Sequence, residues 1–193
     1  MTQYIVTGYA RSGTSMMMRC LQLGGIPAYY DETHKVKAGT NKYGSFEVPR
    51  EESKSPEAYK TRWASMFQHP GKAVKILWPQ ILYMPKAEAG SYAAIIMTRN
   101  PKHIYESYER AWGPGYEMVM NDAKVIREPG SYERIIDSIH ERLADRLVSM
   151  IGLAYDFVID HPIAAFTEVK KAGWPIDVQA AAAGVEPEER HFA

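Results

Sequence analysis

The stretch that most constrains this chain is Tyr4-Ile5-Val6-Thr7-Gly8-Tyr9-Ala10-Arg11-Ser12-Gly13-Thr14-Ser15-Met16-Met17-Met18-Arg19. Residues 3–8 are short, β-branched and aromatic, and stop at Gly8, which reads as a strand. Residues 13–24 read as a helix, closed by Gly24-Gly25 with Pro27 beyond. Between them lies a turn holding an arginine, glycines and hydroxyls. A strand, a tight turn and a helix start, in that order, make a cradle for an anion. The helix N-terminus offers N–H groups without intrahelical partners and the positive end of the dipole. Glycines let the backbone approach an anion closely.

The spacing Gly8-x4-Gly13-Thr14-Ser15 is that of a P-loop, except that Thr14 stands where the nucleotide-binding lysine belongs. Arg11 supplies a cation on the other side of Gly13. The missing lysine argues against an ordinary nucleoside triphosphate site, because that lysine bridges the β- and γ-phosphates. One feature favours a P-loop kinase or NTPase all the same: the apolar run ending in Asp160 has the look of a Walker B strand.

Downstream, residues 72–78 read as a second strand, stopped by Pro79. Residues 92–98 are a nearly continuous apolar run, the pattern of a central parallel strand covered on both faces. A helix is expected from Pro101 to Trp112, another over 132–152 and a third over 162–172. The 132–152 helix rests on Ile135, Ile136, Ile139, Leu143, Leu147 and Ile151, spaced by threes and fours. Residues 155–160 read as a fourth strand, and the C-terminus as a polar helix or tail. Residues 28–55 are polar and aperiodic, and a helix over 56–68 opens with Ser55-Pro56-Glu57. The glycines and prolines of 113–131 mark a second loop.

Alternating strands and helices point to an α/β fold, a three-layer α/β/α sandwich around a mostly parallel sheet of four or five strands. The whole of 1–193 is expected to form one domain, with 28–55 and 113–131 as candidate mobile loops. Ligands of such sheets bind beyond the carboxyl ends of the strands. Arg11 and Arg99 each follow a strand end, so both are expected on one edge of the sheet.

Charge is balanced, with 23 Lys+Arg against 23 Asp+Glu, which offers nothing to non-specific nucleic-acid or membrane binding. The single cysteine, Cys20, cannot form an intrachain disulfide and reads as a small buried hydrophobe. No run is long and apolar enough for a membrane span, and no signal-peptide pattern precedes the first strand, so a cytoplasmic location is expected. The six histidines form no i, i+4 pair and no metal-spaced cluster, so no metal is expected. Tyr29, Tyr30, Tyr43, Phe46, Trp63, Trp78 and Trp112 are candidates to line a substrate pocket or to fill the core.

Two motifs carry a family resemblance. Arg11-Ser12-Gly13-Thr14-Ser15 resembles the loop that binds the 5′-phosphosulfate in sulfotransferases using 3′-phosphoadenylyl sulfate. Arg99-Asn100-Pro101-Lys102-His103-Ile104-Tyr105-Glu106-Ser107-Tyr108 resembles that family's 3′-phosphate motif, with the serine eight residues after the arginine. Asn41 to Glu47 is a looser match to a segment of bacterial members, without its proline and with Ser45 inserted. The Arg-Lys-Gly segment of cytosolic members is absent.

The resemblance implies transfer of a sulfuryl group from 3′-phosphoadenylyl sulfate to a hydroxyl or amine acceptor, with 3′,5′-ADP as product. It places Ala10, Arg11, Ser12, Gly13, Thr14 and Ser15 around the 5′ group, and Arg99 with Ser107 on the 3′-phosphate. Lys75, on the second strand, is a further candidate for the sulfate. Arg11 is the expected stabiliser of charge on the leaving oxygen, since a guanidinium does not readily donate its proton. An acceptor hydroxyl needs a base. Glu32 is the first candidate, because several carbohydrate- and tyrosine-sulfating members place a glutamate just past the first helix. Asp31, His34 and Glu47 are the alternatives. A non-catalytic, nucleotide-binding relative of the family is the remaining reading.

Overall fold

A computed structural model describes residues 1–30, 46, 61, 63–113 and 128–186. Its strands are β1 (Gln3–Gly8), β2 (Ala28–Tyr29), β3 (Ala73–Lys75), β4 (Tyr92–Thr98) and β5 (Ser149–Ala154). Its helices are α1 (Thr14–Leu23), α2 (Pro101–Trp112), α3 (Ser131–Ala144), α4 (Tyr155–Asp160), α5 (Pro162–Lys171) and α6 (Val178–Ala182), with a 3₁₀ turn at Gln80–Tyr83. The five strands form one sheet in the order β2-β3-β1-β4-β5, and every pairing is parallel.

The sheet separates two apolar layers. Val6, Ile95, Met97 and Leu153 face α1, α4 and α5, packing on Met17, Leu21, Val158 and Phe166. Ile5, Val74, Ala94 and Ile96 face α2 and α3, packing on Ile104, Tyr108, Ile135 and Ile139. The alternation follows from the two-residue period of a strand. The fold is therefore the expected α/β sandwich, with β4 buried along its length between β1 and β5. Among the described residues no helix is long and apolar enough to cross a membrane.

α2 begins where the sequence places it. The Asn100 side chain accepts from the Lys102 N–H at 2.9 Å, and Pro101 occupies the first helical position, where its missing N–H costs nothing.

The segment 145–160 departs from the expectation. The helix expected over 132–152 ends at Ala144, and 149–154 form β5 instead. Leu147 takes a left-handed φ of 55° and turns the chain, which leaves its side chain 61% exposed. Leu143, Leu147 and Ile151 keep helical spacing but belong to a helix, a turn and a strand. The strand expected over 155–160 is α4. Its buried residues are Tyr155, Val158 and Ile159, the three- and four-step spacing of a short helix. Asp160 thus ends a helix and is no Walker B residue.

Smaller differences concern the first edge of the sheet. β3 spans three residues rather than 72–78, and Ala28–Tyr29 joins the sheet within the stretch expected to be irregular. Of the expected helix 56–68, the described part has helical backbone at 61 and 63–65.

Candidate anion-binding site

The β1–α1 turn is set by close packing of backbone. Gly8 pairs with Met97 of β4, and a Cβ on Gly8 would lie 2.4 Å from the Met97 carbonyl oxygen. Gly13 has φ 94° and precedes the first residue of α1, and a Cβ there would lie 2.4 Å from Cδ2 of Tyr155. Arg11 itself has φ 69°, an uncommon conformation for a residue with a side chain. It costs roughly 1–2 kcal/mol, so the surroundings must hold it. Two contacts do: Arg99 Nη1 donates to the Arg11 carbonyl oxygen at 3.1 Å, and Arg11 Nε donates to Ser107 Oγ at 2.9 Å.

Three cationic side chains meet at this end of the sheet. Arg11 comes from the turn. Arg99 follows β4 and is 8% exposed. Lys75 closes β3, is 6% exposed, and donates to Ser15 Oγ at 3.3 Å. Burial lowers the pKa of Arg11 from its ordinary value; Tyr108 and Tyr155 act to raise it, while Arg99 and Arg110 lower it further. Burial likewise lowers that of Arg99, against the opposing influence of Tyr155 and Asp156. Desolvating a charge costs several kcal/mol, and a bound anion would offset it.

Aromatic side chains support Arg99. Its backbone N–H donates to the Tyr132 hydroxyl at 3.0 Å, and its guanidinium sits 4.0 Å from the centre of the Tyr155 ring. An open cavity of about 390 Å³ adjoins it, between the ends of β4 and β5 and the starts of α2 and α3. Thr98, Arg99, Asn100, Pro101, Tyr132, Glu133, Ile136, Asp137, Ala154 and Asp156 line it.

The expected residues are brought together with one change of pairing. Ser107 lies two turns into an unbroken α2, on the face that also buries Ile104 and Tyr108. The resemblance sets Ser107 beside Arg99 on one phosphate group. Instead the Arg11 side chain reaches across to Ser107, and Arg11 stands between the two sites. The Ser12 N–H, expected in the cradle, donates to the Tyr9 carbonyl at 3.2 Å. That leaves Gly13, Thr14 and Ser15 as the turn's donors. Ala10 is half-buried and packs on the α2–α3 side of the sheet, and Thr14 is buried at the start of α1. Glu32, Asp31, His34 and Glu47 lie outside the described residues.

Of the aromatic candidates, Tyr29 stacks on His69 at 3.6 Å, and Trp63 and Trp78 pack against the Ile5 layer. Tyr30 packs on Phe46 at 4.9 Å. The sequence reading missed Tyr132 and Tyr155 as neighbours of Arg99. The signal for Tyr155 was Gly152 inside the supposed helix, followed by apolar residues up to a strand end.

Neither the known family models nor the curated proteins give a match to this chain.

Proposed function

We propose that this chain transfers a sulfuryl group from 3′-phosphoadenylyl sulfate to a hydroxyl or amine acceptor. The observation that carries this reading is the convergence of Arg11, Lys75 and Arg99, all substantially buried, on one strand–turn–helix cradle. The donor brings a sulfur activated by a phosphate leaving group, and two anionic ends on one nucleoside. The N–H groups of Gly13, Thr14 and Ser15 and the charges of Arg11 and Lys75 suit the 5′ end. Arg99 suits the 3′-phosphate, with Ser107 available if Arg11 turns toward the donor.

The reaction is an in-line displacement. The acceptor oxygen or nitrogen forms a bond to sulfur, the bond from sulfur to the 5′-phosphate oxygen breaks, and 3′,5′-ADP departs. The acceptor proton goes to a base, for which Glu32 stays the first candidate and Asp31, His34 and Glu47 the alternatives. Arg11 holds a fixed positive charge where negative charge grows on the leaving oxygen, so its work is electrostatic. The helix at Tyr155–Asp160 removes the Walker B likeness that favoured an NTPase.

The test is transfer of labelled sulfate from 3′-phosphoadenylyl sulfate to a panel of sugars, phenols, amines and tyrosine peptides. Arg11→Ala is expected to lower turnover by about 10²- to 10³-fold, the usual loss for a group that stabilises developing charge. No transfer to any acceptor, with 3′,5′-ADP still bound, would leave a nucleotide-binding protein. Full turnover in Arg11→Ala would remove Arg11 from the chemistry.

A further inference from the structure

We infer that Tyr155 is a positioning residue, whose ring holds the Gly13 turn and the Arg99 guanidinium in one fixed relation so that the two turns act as a single anion site. The inference rests on the sulfotransfer reading for what the site binds, but not for the contacts themselves.

Tyr155 follows β5 directly, and the register pairs Ala154 with Thr98. The tyrosine therefore leaves the sheet level with Arg99, on the neighbouring strand. Its ring meets Gly13 on one side, so closely that a Cβ at that position would fall 2.4 Å from Cδ2 and 3.0 Å from Cε2. It also carries the Arg99 guanidinium against its face, at 4.0 Å. Arg99 in turn donates to the carbonyl of Arg11, two residues before Gly13. The contacts close a circuit: Gly13, Tyr155, Arg99, Arg11 and back along the chain to Gly13.

Three elements distant in sequence are joined by this circuit, and Tyr155 is its one member that lies in neither turn. An aromatic face is suited to the task. It attracts the guanidinium without drawing its N–H donors out of plane, so these stay directed at other acceptors. A carboxylate in that place would compete with an incoming anion. Tyr155 also acts to raise the pKa of Arg99 against the lowering that burial imposes. The ring is itself 6% exposed and packed in the α1-side layer, so it has little room to swing.

The experiment compares Tyr155→Leu and Tyr155→Phe in the full chain. Two readouts are taken: amide exchange at Ser12 and Met17 without ligand, and the Kd for 3′,5′-ADP. Those amides donate to the Tyr9 and Gly13 carbonyls and so report on the turn. Tyr155→Leu is expected to speed their exchange about tenfold or more relative to the core of α3, and to weaken 3′,5′-ADP by roughly 10- to 30-fold, as befits a desolvated cation–π contact. Tyr155→Phe keeps the ring and should stay within about threefold of wild type on both. Unchanged exchange in Tyr155→Leu would overturn the inference, and so would equal acceleration in both variants. If Tyr155→Leu does not fold, Tyr155→Met is read by the same criteria. Failure of the wild type to bind 3′,5′-ADP would count against the sulfotransfer reading, while the exchange rates would still decide the role of Tyr155.

Discussion

The two turns at the carboxyl edge of the sheet are built from different materials. The β1–α1 turn is made of backbone. Gly8 lies against the Met97 carbonyl, Gly13 lies against a ring, and Arg11 takes a left-handed φ between them. The β4–α2 turn is made of side chains. Asn100 caps the helix, Pro101 starts it, and Arg99 is held by Tyr132 and Tyr155. A backbone turn is broken by adding atoms, and a side-chain turn by removing or reshaping them. The first offers donors at fixed positions and no choice of residue. The second offers one charge whose aim depends on its neighbours.

Gly8→Ala is the heaviest expected blow, because the new methyl meets a carbonyl inside the β1–β4 pairing, which cannot move alone. The φ of 147° adds strain for any residue with a Cβ. Overpacking and backbone strain together should cost roughly 2–4 kcal/mol, or a Tm lower by about 5–10 °C for a chain of this size. Thermal unfolding checks it. A Tm within about 2 °C of wild type would mean that the turn yields, and that its geometry is not dictated by backbone packing.

Arg99→Lys probes the other turn at similar charge. Lysine keeps a cation but loses the planar fork, so the contact with the Arg11 carbonyl and the stack on Tyr155 cannot both persist. We expect Kd for 3′,5′-ADP to rise about 10- to 30-fold, near 1.5–2 kcal/mol, while Tm moves little. Calorimetric titration measures it. Wild-type affinity in Arg99→Lys would show that charge alone suffices there and that the side-chain architecture is incidental.

The same contrast explains what could be read from the sequence. Gly8 and Gly13 permit the positive φ their turn takes, Asn100 caps its helix and Pro101 starts it, so both turns and the strands that lead into them were legible. Arg11 and Arg99 were legible as cations past strand ends. Their partners were not. That Ser107 would meet Arg11 rather than share a group with Arg99 depends on which face of α2 turns inward and on the reach of one long side chain. The role of Tyr155 was hidden by an error of period. The positions Leu143, Leu147 and Ile151 continue a helical rhythm across a boundary that only the left-handed Leu147 breaks, and nothing in a leucine announces that conformation. With the helix carried too far, the next apolar residues were left to be a strand, and Tyr155 was moved from the sheet edge into the sheet.

The smallest expected effect is the sharpest test of a backbone-built turn. Ser12 sits in the middle of the candidate cradle, yet its N–H is committed to the Tyr9 carbonyl. Its Oγ is fully buried and makes no hydrogen bond among the described residues, lying 2.7 Å from where a Gly8 Cβ would be. A buried hydroxyl without a partner is a cost of about 1–3 kcal/mol that alanine does not incur. Ser12→Ala should therefore hold or raise stability, by up to about 1 kcal/mol after the lost contacts are counted, and should leave 3′,5′-ADP binding within about threefold. If binding falls tenfold or more in Ser12→Ala, the hydroxyl must rotate onto the ligand. The β1–α1 turn would then depend on a side chain after all, and the distinction between the two turns would fail at the residue where it ought to be cleanest.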